Sequence, residues 1–534
     1  MKKYLALLLM VTLIFGVLVI GCAPEVVDPD PDPDPDPNDV IVDGQDIVIA
    51  IGAEPENLDP LKMMSAPAAT IAEHMVENLI YLAEDGTLQP ALAEAWEPSE
   101  DGLSWFLNLR EGVSFHDGTP FNAEAVKYNL DRFMAKGEFE GEDPAVFAFL
   151  LGRVTAVEVV DEYTVEILLS DVFAPIASHL SHSFIGIHSP ASLEALGAGE
   201  NVEAPVGTGP FEYVSWDRGE QIYMERNDDY WGGAPTLDSV TFKFVPEAGS
   251  RVIMLETGEA HAIMAVPPTD IDRLEAEADI DVVFQNSVRV IYIGFNLEDE
   301  KFSDVRVRQA LNHAINKDAI IETIFQGVGE PSSAPIVPAI FGYTQVGPYE
   351  YNPERAMELM AEAGYPDGFD IELFHPTGRY PQDATVTEAV QAMLAEVGVN
   401  ASLTTYDWGT YLDTVIVEPN QAEHDAYMLG WGTVTLDADY GLFALFHSSQ
   451  WPPAGNNVSY YANDEVDALL DEARITPDRG VREGLYREAI EIIWSDAPWI
   501  FLHNEGQVNA VRSNVQGLIH HPLENISAWN AYIE

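Results

Sequence analysis

Residues 101–130 constrain the fold of this chain most, because strand, turn and helix signals follow one another within them. Trp105, Leu107 and Leu109 occupy every second position, which is the period of a strand that buries one face. Turns that contain glycine follow, and Asn122 then has the short polar side chain that caps the first turn of a helix. The segment therefore predicts an ordered protein that mixes strands and helices.

The wording of this segment, DGLSWFLNLREGVSFHDGTPFNAEAVKYNL, resembles the signature block of the family 5 extracellular solute-binding proteins. These are the peptide- and nickel-type receptors of ABC importers. Residues 53–60 resemble the family's opening strand and loop, residues 207–242 its second conserved block, and residues 305–321 its third. Shared composition does not produce matches in a fixed order along a chain, so the resemblance favours membership of this family.

The resemblance implies an α/β fold of the type II periplasmic-binding-protein kind, with two jaws around a hinge and an additional inserted lobe. Crossover strands would form the hinge near residues 206–211 and 290–297. Residues 41–534 would form the solute-binding body. Its parts would be lobe I at about 41–70, 205–290 and 500–534, lobe II at about 71–204, and lobe III at about 291–499.

Three further helices are predicted from apolar residues at helical spacing. One begins after Asn352, where Pro353 is suited to the first helical position, and another begins after Asn463. The third spans residues 307–315. Core packing is a sufficient explanation for all three apolar stripes.

Residues 1–21 have the form of a secretory signal peptide, since Lys2 and Lys3 precede an apolar run that ends in a small residue. The letters VIGC, ending at Cys22, resemble a bacterial lipobox, in which the cysteine thiol receives a diacylglyceryl group after export. The alternative is a plain membrane anchor with an incidental cysteine. Cys22 is the only cysteine of the chain, so no disulfide can form within it.

Residues 22–40 contain an Asp-Pro repeat that cannot form a helix, because each proline lacks a donor and restricts the residue before it. Proline stiffness and repulsion between the aspartates both favour an extended spacer. Calcium binding is the alternative, but the glycine of an EF-hand loop is missing. We therefore expect a tether that holds the body away from a membrane.

The chain has 89 Asp and Glu residues against 25 Lys and Arg residues, a formal net charge of −64. Such a charge excludes nucleic acid as a natural partner. A cationic ligand would be compatible with it, but the acidic residues are spread along the whole chain. A solvated acidic surface suited to saline surroundings is the simpler interpretation.

The sequence contains no catalytic motif of weight: no P-loop, no G-x-S-x-G, no H-E-x-x-H and no C-x-x-C. His520 and His521 are adjacent, so on a strand they face opposite ways, and His447 has no partner at ligand spacing. We therefore expect a binding protein rather than an enzyme, with no cofactor and no metal site. A metal role stays open, because some members of the family bind nickel chelates.

Gly430 and Trp431 resemble the family's Gly-Trp motif, whose tryptophan lines the ligand cavity. In dipeptide and oligopeptide receptors of the family, an aspartate three residues beyond this tryptophan pairs with the α-amino group of the peptide. That position is Val434 here, which puts α-amine recognition in question. Asp437 lies just beyond and could supply the charge, although a carboxylate in such a turn is more often solvated.

Residues 375–383 resemble the loop that reaches the ligand cavity in relatives, and they contain Arg379 and Tyr380. Arg379 could pair with a ligand carboxylate through two hydrogen bonds, or it could pair with a surface carboxylate of this acidic protein. Ser332 resembles a segment that touches ligand in the family. These residues complete the predicted ligand-binding set.

The resemblance implies a lipid-anchored, extracytoplasmic substrate-binding subunit of an ABC importer for peptides or peptide-like solutes. The protein would act in the periplasm or at the outer face of the plasma membrane, with permease and ATPase subunits as partners. Uptake of an oligosaccharide or a metal chelate is the alternative within the family. A receptor that signals without transport is the alternative from another class.

Overall fold

The structure is a computed structural model that describes residues 44–63, 65–196 and 202–534. The predicted signal peptide, the lipidation at Cys22 and the whole of the predicted tether lie outside the described residues. Within the described residues, no helix combines the length and the apolar content needed to cross a bilayer.

The strand, turn and helix predicted for residues 101–130 are confirmed. The strand spans Ser104–Leu109, and Leu107 and Leu109 are buried in it. The helix spans Ala123–Met134, and the side chain of Asn122 accepts a hydrogen bond from the amide of Ala125 at 3.1 Å. Local signals were therefore sufficient to place these elements.

The strands of the described residues form one large mixed sheet and several smaller sheets. The large sheet has eleven strands. In order across the sheet they are Val399–Tyr406, Phe369–Pro376, Ala426–Gly432, Ile280–Phe295, Trp499–Arg512, Ala262–Ile263, Asp46–Ile51, Ser239–Phe244, Gln221–Arg226 and Phe211–Asp217, with Glu330–Pro331 added beside Trp499–Arg512.

Two long antiparallel strands, Ile280–Phe295 and Trp499–Arg512, form the middle of the large sheet. Their register shifts between the pairs Asn286–Gly506 and Val290–Asn504, so the ladder is irregular where the two strands run through the centre. The predicted hinge at residues 290–297 overlaps the first strand. The second strand runs beside it, and a crossover at residues 206–211 stays a prediction. The division into three lobes stays a prediction.

A separate antiparallel sheet lies within residues 71–204, the predicted lobe II. Its strands, in order across the sheet, are Ala93–Pro98, Ser104–Leu109, Thr164–Leu169 and Val154–Asp161. The side chains of Leu107, Val165 and Ile167 from this sheet are buried in one core with Phe121 and Leu130. Three two-stranded ladders complete the sheets of the described residues: Ile80–Leu82 with Leu88–Pro90, Ile519–His521 with Asn525–Ser527, and Val515–Gln516 with Tyr532–Ile533.

The α-helices of the described residues surround these sheets. They span Ala66–Ala72, Ala123–Met134, Ile176–Leu180, Pro190–Leu196, Ala248–Thr257, Ile271–Glu275, Glu300–Ser303, Val305–Ala314, Lys317–Thr323, Pro353–Glu362, Asp383–Glu396, Trp408–Val415, Ala444–Phe446, Asp464–Ile475 and Arg479–Asp496. The three helices predicted from apolar stripes are all present. Asn352 and Asn463 cap two of them as expected, each accepting a hydrogen bond from a backbone amide of the first turn.

We expect the melting temperature to rise substantially between low and molar NaCl, because the chain carries 89 acidic residues and only 25 Lys and Arg residues. Most carboxylates therefore repel one another without a basic partner. The Debye length falls from about 10 Å at 0.1 M salt to about 3 Å at 1 M, which screens this repulsion. Melting curves in chloride at fixed pH test the prediction. A flat or falling trend would contradict it.

Candidate ligand-binding site

A cavity of about 480 Å³ lies against the long strand Trp499–Arg512. Its walls are mostly apolar, and most of its polar side chains come from one stretch of that strand. Residues lining the cavity include Ile51, Ala66, Pro67, Met264, Val266, Pro268, Phe325, Val328, Pro381, His503, Glu505, Gln507, Asn509 and Glu524. The volume falls in the range of about 300–1,000 Å³ that is usual for small-molecule sites.

Two carboxylates of the cavity wall, Glu505 and Glu524, contact the guanidinium of Arg289. Arg289 Nε lies 2.9 Å from Glu505 Oε2, and Arg289 Nη2 lies 3.4 Å from Glu524 Oε1. Burial raises the pKa of Glu505 to about 7, and Glu524 adds to the rise while Arg289 opposes it. One arginine is therefore shared between two acidic residues at the edge of the cavity.

Two polar side chains of the same strand have atoms without partners. His503 Nδ1 and Gln507 Nε2 are buried, and neither atom makes a hydrogen bond within the described part of the chain. Burial lowers the pKa of His503 to about 4, so its imidazole is neutral at pH 7. Buried polar groups are normally satisfied. Both atoms therefore suit hydrogen bonds to a molecule in the cavity.

Trp431 lies on the strand Ala426–Gly432, opposite Val290 of the central strand. Its ring lies 5.3 Å from that of Tyr440, centroid to centroid, at an angle of 30°. Its indole Nε1 is buried and has no hydrogen-bond partner among the described residues. The ring is partly exposed, but Trp431 is not among the residues that line this cavity, and its contact with ligand stays a prediction.

Gly430 is required by close packing. A Cβ atom at this position would lie 2.5 Å from Ile291 Cδ1 and 2.9 Å from Tyr380 Cε1. The missing side chain lets the Tyr380 ring approach the strand, where the amide of Gly430 donates to the Tyr380 hydroxyl at 2.8 Å. Gly430 therefore positions Tyr380.

Arg379 lies beside this ring. Its guanidinium carbon is 4.9 Å from the centroid of Tyr380 and 5.1 Å from that of Trp408, which are cation–π distances. Within the part of the chain that the structure describes, no carboxylate lies at ion-pair distance from this guanidinium. Pro381 of the same loop lines the cavity, and the charge of Arg379 acts on Glu505 in the cavity wall, whereas direct contact of Arg379 with ligand stays a prediction.

Ser332 supports the cavity from behind. It is fully buried, and its Oγ donates to Asn504 Oδ1 at 3.1 Å, beside Glu505. Its backbone amide donates to Leu502. This placement fixes the strand that carries the polar cavity residues, and direct contact of Ser332 with ligand stays a prediction.

Asp437 is buried, whereas a carboxylate in this turn was expected to be solvated. Arg482 Nη2 donates to both of its oxygens, at 2.7 and 2.8 Å, and the Ser178 hydroxyl donates to it at 3.3 Å. Burial alone would raise the pKa of Asp437, but the charge and hydrogen bonds of Arg482 hold it below its usual value. The carboxylate is thus committed to protein partners, and a ligand contact through Asp437 stays a prediction that this geometry does not favour.

Further contacts join the region after Trp431 to the predicted lobe II. The ring of Tyr440 stacks on Phe149 at 6.4 Å, the amide of Ala174 donates to the carbonyl of Arg474 at 2.7 Å, and Arg479 donates to the carbonyl of Gly86 at 3.3 Å. Tyr440 belongs to the π-helical turn Asp439–Phe443. The jaws predicted from the sequence therefore touch in this structure.

The described residues contain no group of three or more His, Asp or Glu side chains arranged to hold a metal ion. His520 and His521 lie on the strand Ile519–His521 and bond in different directions, to Asn509 and to the carbonyl of Leu82.

Sequence reasoning assigned Gly430, Trp431, Tyr380 and Arg379 to one ligand-binding set. The structure brings Gly430 and Tyr380 into contact and places Arg379 beside the Tyr380 ring. None of the four is among the residues that line the cavity, and their contact with ligand stays a prediction. Sequence reasoning missed Arg289, Glu505 and Glu524. A signal was present, since the apolar start of the strand Trp499–Arg512 gives way to a polar stretch that contains Glu505.

Comparison with known proteins gives one consistent result. The family model described as bacterial extracellular solute-binding proteins, family 5 middle, matches residues 87–453. The glutathione-binding protein GsiB of Pectobacterium atrosepticum is 36% identical over 478 residues, covering 89% of this chain and 91% of the relative. The protein of the same name from Escherichia coli strain K12 is 35% identical over 479 residues, with 89% and 91% covered.

Solved structures agree in fold. The structure of HbpA2 from Haemophilus parasuis has a TM-score of 0.84 at 30% identity, covering 92% of this chain and 100% of that one. The periplasmic binding protein DppA from Helicobacter pylori, in complex with the peptide STSA, has a TM-score of 0.73 at 30% identity, covering 92% and 98%. The predicted type II periplasmic-binding-protein fold is confirmed.

Proposed function

The chain belongs to family 5 of the bacterial extracellular solute-binding proteins, and we propose that it is the substrate-binding subunit of an ABC importer for peptides or glutathione-like solutes. Members of this family are extracytoplasmic binding proteins for transport and not enzymes, so the chain is a binding protein. Closing on its ligand, it delivers the solute to a membrane permease that an ATPase drives.

The cavity beside the strand Trp499–Arg512 carries this proposal. Peptides and glutathione combine amide groups, charged ends and apolar segments. The cavity combines apolar walls with unpartnered polar atoms on His503 and Gln507, carboxylates on Glu505 and Glu524, and the neighbouring guanidinium of Arg379. A few placed polar groups in an apolar pocket are what small-molecule recognition needs. The names of the relatives support the same solute class.

Native mass spectrometry of the purified chain tests this function. We expect a co-purifying mass that matches a short peptide or a glutathione-type compound and that is released when the protein unfolds. A bound hexose series or a metal chelate would contradict the proposal and support one of the alternatives within the family. Treating the protein with denaturant before measurement is the control, since a specific ligand is lost with the fold.

We further propose that Cys22 becomes a lipidated N-terminus and that residues 22–40 tether the body to the membrane. Cys22→Ala is expected to release the protein from the membrane fraction or to leave the signal peptide uncleaved. Asp28→Ala in the tether is the matched control and should stay anchored. A Cys22→Ala protein that is processed and still membrane-bound would contradict the lipoprotein proposal.

A further inference from the structure

We propose that Glu505 and Glu524 form a subsite for an ammonium group of the ligand, while Arg379 is left to hold a ligand carboxylate. The ligand class is then a zwitterion with a free amine, rather than an amine-blocked peptide or a neutral solute. This inference rests on the proposed function, because it assumes that the cavity beside Trp499–Arg512 holds the imported solute.

Two carboxylates share one arginine at the cavity wall. Arg289 contacts both carboxylates, at 2.9 Å from Glu505 and 3.4 Å from Glu524. Arg289 is the ion-pair partner of both carboxylates among the described residues, and Arg379 acts on Glu505 only from beyond ion-pair distance, so the two carboxylates share one direct positive partner. Charges in a poorly solvated place are stable when they are paired. A ligand ammonium placed between the two carboxylates supplies the missing positive charge.

Both carboxylates are partly shielded from solvent. The side chain of Glu505 is only 18% exposed, and that of Glu524 is 33% exposed. Burial raises the pKa of Glu505 to about 7, because the ionised carboxylate is poorly solvated there. A cation at hydrogen-bond distance would favour the ionised form. The carboxylate is therefore poised to gain from an ammonium ligand.

Two polar side chains with buried atoms lie beside Glu505 on the same strand. His503, Glu505 and Gln507 occupy every second position of one strand and all line the cavity, so their side chains share a face. His503 is 5% exposed, and its Nδ1 has no hydrogen-bond partner in the described part of the chain. Gln507 Nε2 is likewise buried and unpartnered. These atoms indicate that a polar ligand lies along Glu505.

The backbone at Glu524 brings the second carboxylate to the same place. Glu524 has φ of 66°, in the left-handed region that residues other than glycine rarely adopt. It lies at the turn between Ile519–His521 and Asn525–Ser527, and its amide donates to the carbonyl of His521 at 3.0 Å. This conformation places Glu524 against Arg289.

Val434 stands where the family resemblance predicts an amine-binding carboxylate, and a valine cannot pair with an ammonium. Asp437 is occupied by Arg482. Glu505 and Glu524 thus provide acidic groups at the cavity without either of these positions. Arg379, held over Tyr380 and Trp408, lies close enough to Glu505 to lower the pKa of that carboxyl.

Calorimetry with two probes tests the subsite. The first probe is reduced glutathione, and the second is its deamino analogue, glutaryl-cysteinyl-glycine, which lacks only the ammonium. On the ligand-stripped wild-type protein we expect glutathione to bind at least about ten-fold more tightly than the analogue, because hydrogen bonds to charged groups carry such a difference. In Glu505→Gln and in Glu524→Gln the ratio should fall towards one.

Glu358→Gln is the matched control, since Glu358 is 66% exposed and pairs with Arg355 away from the cavity. Equal affinity of the wild-type protein for the two probes overturns the subsite and leaves the proposed function standing. Failure of glutathione to bind also overturns it, and the native mass spectrum then decides separately whether the protein carries a peptide-like solute. The comparison of probes on the wild-type protein does not depend on the folding of any variant.

Discussion

Replacing Asp437 with alanine is expected to lower the free energy of unfolding by about 3–5 kcal/mol, because a buried arginine would lose its partner. Asp437 is fully buried, and Arg482 donates to both of its oxygens. The folded pKa of Asp437 lies below its ordinary value of 3.8. This stabilisation is therefore fully present above that value and is lost as the pH falls through the folded pKa. Urea unfolding at pH 7 measures the loss.

The matched control for this change is Asp171→Ala. Asp171 pairs with Arg153 at 2.7 Å, but the two side chains are 63% and 40% exposed. Exposed pairs contribute about 0–1 kcal/mol, so the control should change stability by no more than that. If Asp437→Ala costs no more than Asp171→Ala, the buried pair does not stabilise the fold as described.

Trp431→Ala is expected to weaken ligand binding by about 1–3 kcal/mol, the scale of losing a large apolar contact. The substitution also removes the indole Nε1 donor, which has no hydrogen-bond partner among the described residues. Titration of the wild-type and variant proteins with reduced glutathione, or with the compound that native mass spectrometry identifies, gives the difference.

Trp451→Ala is the matched control for Trp431→Ala. Trp451 is also partly buried, but its indole already donates to the carbonyl of Tyr461 at 2.9 Å, and it lies outside the predicted ligand-binding set. Its loss should leave affinity unchanged. Equal affinities of the Trp431→Ala variant and the wild-type protein would remove Trp431 from the site.

The elements that sequence predicted well are those with local signals. The strand Ser104–Leu109 follows from alternation, and the helices after Asn122, Asn352 and Asn463 follow from capping side chains that bond within the next turn. Each of these signals lies within a few residues of the element it specifies. These elements could therefore be predicted without knowledge of the tertiary packing.

The charged groups of the cavity could not be predicted in this way. Arg289 and Glu524 are 235 positions apart, and they meet only because a hairpin and a central strand are brought together by the fold. Asp437 was expected to be solvated because its partners are also distant in sequence. Ser178 is 259 positions away, and Arg482 lies on a later helix. Only the tertiary structure brings such partners together.

Gly430 and Trp431 lie between these two cases. The motif they resemble indicates a ligand-lining position, but the sequence gives no reason for the glycine. The structure supplies one, because Tyr380 and Ile291 fill the space that a side chain would need.

Isothermal titration calorimetry of the ligand-stripped protein with reduced glutathione and a panel of di- and tripeptides tests the central claim most directly. We expect saturable binding of at least one of these solutes, with one site per chain and a negative heat-capacity change from burial of the apolar cavity walls. Absence of saturable binding for glutathione and for every peptide of the panel would contradict it.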